Sequence, residues 1–268
     1  MIILQAILLG IIEGLTEFLP ISSTGHLLVS KHLLGYKDTA EIFTVVIQVG
    51  AIAAVIWHYR GDLLSKFRGL LKRDRQTLRF WKLWILATIP AGVAGLLVEK
   101  RLSTLMSVPV VAIALVAGGV VILLVERYAA PKAAAKRPDF HDLTLKQSIQ
   151  VGCYQVLSLI PGVSRSGATI MGGLVSGLDR GTATAFSFYL SIPILVLAGG
   201  YKLVSGRDEL STVAGGATAL LVGTVVSFFS ALLVVNWLLG YVSKHSFTIF
   251  AYYRIVLGGL ILAALLVR

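Results

Sequence analysis

Six stretches of this chain are apolar for long enough to cross a lipid bilayer as helices: Ile42–Trp57, Trp81–Val98, Val108–Val125, Thr182–Leu203, Val213–Leu239 and Ile249–Val267. A bilayer core takes about 20 mostly apolar residues per helix. Inside it, every backbone N–H and C=O must find a partner within protein, which for such segments means bundled helices. Composition agrees: 14% of the 268 residues are charged, against about 25% in soluble domains. That is too little charge to cover a water-exposed surface. The predicted fold class is an all-α polytopic membrane protein.

Two further apolar stretches are not simple spans. Ile2–Leu34 contains Glu13, Glu17, Pro20, Ser22, Ser23, Thr24, Gly25 and His26. Leu143–Leu178 contains Gln155, Pro161, Gly162, Ser164, Arg165, Ser166 and Gly167. Each is too long and too interrupted for one helix and suits two half-helices that enter the membrane and return. The full expectation is six transmembrane helices plus two re-entrant broken pairs.

The formal charge is +11. In a soluble chain that would point to nucleic acid; here the cations cluster between apolar segments, so no nucleic-acid partner is expected. Arg60–Lys82 holds eight Lys/Arg and Arg127–Lys146 five. One span on either side of the Glu99–Ser107 link puts both basic loops on one face, which the positive-inside rule makes cytoplasmic, where they meet anionic headgroups. Met1–Leu9 has no charged leader and reads as mature helix. The single cysteine, Cys153, excludes an internal disulfide and reads as a buried, inert thiol.

The halves resemble each other. Gln5, Gly10, Glu13, Ser22 and Gly25 recur at one common offset as Gln147, Gly152, Gln155, Ser164 and Gly167. Each broken stretch is followed by three spans, so the second copy starts on the opposite face. The predicted organisation is a first repeat over 1–126, a basic cytoplasmic linker over 127–142 and a second, inverted repeat over 143–268. In inverted-repeat membrane proteins the functional site usually lies near the midplane, where broken helices meet.

Each break is followed by Ser or Thr where a helix should restart. These residues are good N-caps, and the free N–H groups and positive dipole end of a helix start attract anions. Two such ends would suit two phosphates; close helix packing by small residues is the alternative. Glu13 and Glu17 lie four apart, on one helix face. Carboxylates at membrane depth are costly and point to function: acid–base work, or binding of Mg²⁺ or Ca²⁺. The alternative is an assembly-only ion pair with Arg165. His26, one turn from the anion site, suits a nucleophile or a general acid or base. Arg165 suits bidentate phosphate binding. Asp179 and Arg180 read as structural. Arg254 either snorkels to the interface or supports the site. This is a phosphoryl-transfer inventory, and its burial implies a substrate with a lipid tail.

Glu13-Gly-Leu-Thr-Glu17-Phe-Leu-Pro-Ile-Ser-Ser-Thr-Gly-His26 and Pro161-Gly-Val-Ser-Arg165-Ser-Gly-Ala-Thr169 closely resemble the two signature motifs of the bacterial undecaprenyl-diphosphate phosphatase family, also known for bacitracin resistance. The likeness extends to the stretches beginning at Phe43 and Phe250. The resemblance implies hydrolysis of undecaprenyl diphosphate to undecaprenyl phosphate and phosphate in the bacterial plasma (inner) membrane. It implies dependence on a divalent cation and a site open to the outer face. It places the catalytic residues at Glu13, Glu17, Ser23, His26 and Arg165. The diphosphate-binding set is Ser22, Ser23, Thr24, Ser164, Arg165, Ser166 and Thr169, with Glu13 and Glu17 as metal ligands. The nucleophile stays open between His26, Ser22, Ser23 and a water, and homodimerisation stays open too. The rival expectations are a prenyl-phosphate transporter or flippase and a soluble-anion channel, both using the same anion site.

Overall fold

The computed structural model describes residues 1–38, 41–130, 140, 142–206 and 212–267. Among these there are helices and no strands: α1 (Ile2–Thr16), α2 (Ser23–Leu34), α3 (Ile42–His58), α4 (Arg60–Leu71), α5 (Arg75–Leu105), α6 (Val108–Tyr128), α7 (Leu145–Val156), α8 (Arg165–Val175), α9 (Arg180–Ser205), α10 (Gly216–Val242) and α11 (Thr248–Leu266).

Five of these, α5, α6, α9, α10 and α11, are long and apolar enough to span a membrane, and α3 joins them when taken with α4 across a 71° bend. They are the six expected segments with their ends adjusted. Their outer faces carry Leu96, Leu97, Ile113, Leu124, Leu221, Leu233, Val256 and Leu260 in the open. Apolar patches of that extent belong against lipid. The start of α10 falls after the expected Val213 because Gly215 and Gly216 both take positive φ, at 84° and 59°. That conformation stops a helix from beginning earlier.

Two expectations need correction. The basic stretch 60–82 is helical rather than a loop: α4 fills Arg60–Leu71 and α5 has begun by Arg75. Leu63, Leu64, Phe67, Leu70 and Leu71 recur at three- and four-residue spacing, the periodicity of an amphipathic helix. An aromatic group pins α4 back on the bundle: the Tyr189 hydroxyl donates to Asp62, and Lys66 lies 4.7 Å from the Phe80 ring centroid. Second, Cys153 is exposed, not buried. It stands on the far side of α7 from Ser148, Gly152 and Gln155, which face inward. Of the second basic stretch, Lys132, Lys136 and Arg137 lie outside the described residues.

The helices pack in matched pairs. α1 packs on α10, and α7 packs on α5. A Cβ on Gly10 would lie 2.5 Å from the Gly223 carbonyl oxygen, and one on Gly152 would lie 2.4 Å from that of Ala87. Neither position admits a side chain without separating the helices. The side chain of Gln5 donates to the Leu34 carbonyl at 2.7 Å, and Gln147 donates to that of Ser176 at 3.1 Å. Both pairs tie the helix before a break to the helix after it, at the same offset as the sequence repeat.

Candidate active site between the two broken helices

Both breaks are built alike. Proline disfavours helical backbone in the residue before it, and Ile160, preceding Pro161, is extended at φ −75° and ψ 121°. Each following helix starts on a serine with positive φ, 72° at Ser22 and 75° at Ser164. A non-glycine residue there costs on the order of 1–3 kcal/mol, and such strain gathers at functional sites. The side chain repays part of it: Ser22 Oγ accepts from Gly25 N–H at 3.3 Å, and Ser164 Oγ accepts from Gly167 N–H at 3.1 Å. These caps hold α2 and α8 with their N-termini at the breaks.

The turns touch. Ser166 Oγ donates to the Leu19 carbonyl at 2.8 Å, across the two halves. Arg165 Nη2 donates to Glu17 Oε1 at 3.0 Å, with both side chains nearly enclosed. Its Nη1 donates to the Ser187 carbonyl at 3.0 Å, and its Nε is buried without a partner. The other Glu17 oxygen, Oε2, accepts from the Ser23 hydroxyl at 2.5 Å. A hydroxyl held on a carboxylate, which is itself oriented by a guanidinium, has the arrangement of an activated nucleophile. Glu13 is 0% exposed, and neither of its oxygens has a hydrogen-bond partner. Its counterpart in the repeat, Gln155, is also 0% exposed with both side-chain polar atoms unpartnered.

His26 has both ring nitrogens engaged. Nδ1 is 2.7 Å from the Ser22 carbonyl, and Nε2 is 2.6 Å from the Tyr253 hydroxyl. A carbonyl only accepts, so Nδ1 carries the proton, and Nε2 of the neutral ring accepts from Tyr253. The ring therefore braces the strained Ser22 turn.

The structure thus brings Glu17, Ser23 and Arg165 into direct contact, with Ser22 and Ser164 capping beside them and Ser166 Oγ 3.0 Å from Ser164 Oγ. Thr24 stands half-buried in the first turn of α2. Thr169 is set deeper, fully enclosed, with its hydroxyl 2.7 Å from Ser187 Oγ and donating to the Arg165 carbonyl. Ser166 is likewise 0% exposed. Both act here as struts beneath the arginine. Asp179 caps α9, with Oδ1 accepting from Thr182 N–H at 3.0 Å, and Arg180 pairs with Glu126 of α6. Ser187 and Tyr253 are site residues that the sequence reading missed. No local spacing marks them, since each reaches its partner only through the tertiary fold. Arg254 does not snorkel: it is 1% exposed and reaches both breaks.

Comparison with known proteins adds the family. A family model described as bacitracin resistance protein BacA matches residues 6–260. The undecaprenyl-diphosphatase 1 of Paraburkholderia xenovorans is 50% identical over 262 residues, covering 96% of this chain and 93% of its own. The undecaprenyl-diphosphatase of Nitrosomonas europaea is 47% identical over 264 residues, 98% of this chain and 94% of its own. That of Cereibacter sphaeroides is 43% identical over 265 residues, 98% and 97%.

Proposed function

This chain belongs to the bacitracin resistance protein BacA family, and from that membership we infer its reaction: it hydrolyses undecaprenyl diphosphate to undecaprenyl phosphate and inorganic phosphate. It is a multi-pass membrane hydrolase whose product returns the lipid carrier to cell-wall synthesis, and its abundance bears on bacitracin resistance. A prenyl-phosphate transporter on the same anion site is not favoured. The matched relatives carry diphosphatase names, and a hydroxyl–carboxylate–guanidinium chain is more than binding alone requires.

We propose Ser23 as the nucleophile. The observation that carries this is the 2.5 Å contact of its hydroxyl with Glu17, whose other oxygen Arg165 holds. The terminal phosphate sits between the N-termini of α2 and α8. Ser23 Oγ bonds to the terminal phosphorus as its proton passes to Glu17, and the bond from phosphorus to the bridging oxygen breaks. The proton moves on to that oxygen, and undecaprenyl phosphate leaves. Water, giving a proton to Glu17, then bonds to the phosphorus as the bond to Ser23 Oγ breaks; Glu17 returns the proton to Ser23, and phosphate is released. Arg165 turns from the neutralised Glu17 to the phosphate oxygens, with its unpartnered Nε as the first donor free to do so. His26 keeps the turn in shape from behind.

The residues fit a divalent cation, Mg²⁺ or Ca²⁺. Glu13 offers two buried oxygens without a donor, and Glu17 lies one helical turn along. No group of three His, Cys, Asp or Glu gathers among the described residues. The cation would therefore complete its shell with substrate oxygens and water, as Mg²⁺ commonly does. When bound it would neutralise charge on the diphosphate.

The same reading places the protein in the bacterial plasma membrane with Arg60–Lys82 in the cytoplasm and the site open to the outer face. The eight Lys/Arg of that stretch support it. All the site residues come from one chain, and a homodimer is compatible with this arrangement.

The test is acid quenching during turnover of prenyl diphosphate labelled in its terminal phosphate. The expected product is phosphoserine at Ser23, absent from Ser23→Ala and still trapped in His26→Ala. A label lost in acid but kept in a parallel alkaline quench, as phosphohistidine is, would move the nucleophile to His26. Near-normal phosphate release by Arg165→Ala would remove the arginine from the mechanism.

A further inference from the structure

Arg254, on α11, is enclosed to 1% exposure, and its guanidinium has five N–H donors. All of them are used, and every acceptor is a backbone carbonyl. Nε donates to Leu115 at 3.2 Å. Nη1 donates to Pro20 at 3.1 Å and to Val163 at 3.0 Å. Nη2 donates to Ala114 at 3.0 Å and to Gly162 at 3.1 Å.

Three features make this more than a satisfied core residue. The acceptors join both breaks, Pro20 from the first and Gly162 and Val163 from the second, and anchor them to α6. These carbonyls lie within two residues of Ser22 and Ser164, the two strained caps. Next, α6 makes room for the group: a Cβ on Gly118 would stand 2.0 Å from Arg254 Nη2. Last, none of the five acceptors is a carboxylate, so the guanidinium meets carbonyl dipoles and keeps its unit charge. That charge sits behind two helix N-termini, with the same sign as their dipoles.

We propose that Arg254 is a positioning residue for the phosphatase reaction. It fixes the separation and tilt of the two serine-led turns, and its unpaired charge raises their attraction for a diphosphate. The proposal rests on the diphosphate lying between these turns. Lysine in its place would keep the charge but could hold only a minority of five divergent carbonyls. Glutamine would lose both charge and brace.

The experiment compares wild type, Arg254→Lys, Arg254→Gln and Gly118→Ala as full chains in lipid nanodiscs. It reads kcat and KM on a long-chain prenyl diphosphate. It also reads the distance between spin labels at Leu15→Cys and Ile160→Cys, exposed positions flanking the two breaks, in a Cys153→Ser background. Arg254→Lys should lose about 100-fold in kcat, as expected for a misplacement near 1 Å, with KM nearly unchanged and a broadened distance distribution. Arg254→Gln should add a rise in KM of about tenfold, the loss expected from about 1.4 kcal/mol of binding. Gly118→Ala leaves every charge in place and should follow Arg254→Lys; it also serves if the arginine variants fail to fold. A purely structural arginine would lower stability and leave kcat of the folded protein at the wild-type value. Wild-type kcat with an unbroadened distance in Gly118→Ala, or in folded Arg254→Lys, overturns the proposal. Wild type that released no phosphate would overturn the parent reading instead, while the distance measurement still judged the brace.

Discussion

Glu13 and Glu17 share a helical face, a charge and a depth, being 0% and 5% exposed, yet they differ in company. Glu17 has Arg165 on one oxygen and Ser23 on the other; Glu13 has no hydrogen-bond partner. Their amide variants should therefore part ways. Removing one member of a buried ion pair costs about 3–5 kcal/mol, because the other charge is stranded. Glutamine keeps an oxygen for Arg165, so Glu17→Gln should fall at the low end, about 3 kcal/mol. At roughly 2–4 °C per kcal/mol for a chain of this size class, the unfolding midpoint should drop by about 6–12 °C. Glu13→Gln loses no bond and relieves a buried carboxylate, so it should hold or raise stability, by about 1–3 kcal/mol. Both should lose turnover, Glu17→Gln by about 10²–10⁴ as a general base. The assay is thermal unfolding in detergent micelles by tryptophan fluorescence, with excess chelator, beside phosphate release. Glu13→Gln falling as far as Glu17→Gln under chelator would refute the assignment of Glu13 as partnerless. Repeating the melt with Ca²⁺ or Mg²⁺ tests the cation: binding to the folded state raises the midpoint by mass action, and the rise should vanish in Glu13→Gln.

Two further outcomes follow from packing and capping. Gly10→Ala and Gly152→Ala each drive a methyl to within 2.5 Å of a carbonyl on the helix opposite; each should cost about 1–3 kcal/mol as overpacking, and a melt that shifts for one but not the other would break the proposed equivalence of the two halves. Asp179→Ala removes the N-cap of α9, for about 1 kcal/mol, and should leave KM unchanged; a KM change would show that Asp179 reaches the substrate.

Much of this molecule is legible in its sequence because lipid enforces a long, simple signal. The six spans lie where apolar runs of bilayer length lie, and prolines with Ser-rich sequels mark the breaks. Glu17, Ser23 and Arg165 stand out because polar groups at that depth need a reason. What escapes is the set of contacts between distant segments. Ser187 looks like any small residue in an apolar helix until α8 lays Arg165 against it. Arg254 was open between interface and site because its acceptors, carbonyls of residues 20, 114, 115, 162 and 163, have no side-chain signature. The helix α4 was hidden by its charges, which look like a loop when counted and like an amphipathic face when spaced.

The pairing of α1 with α10 has a consequence for how such a chain is made. α1 is 15 residues long and carries Glu13 on the face that α10 covers. By itself it is short for a bilayer, and its carboxylate resists lipid. Synthesis delivers it ahead of its cover, which begins only at Gly216, with eight of the described helices in between. Until then α1 must wait at the membrane surface or against a helper, and it seats only when α10 arrives. The catalytic half of the site is thus made well before it can be assembled. A ribosome stalled before Gly216 would leave a membrane protein with the carboxylate of α1 unhoused, a ready mark for quality-control proteolysis.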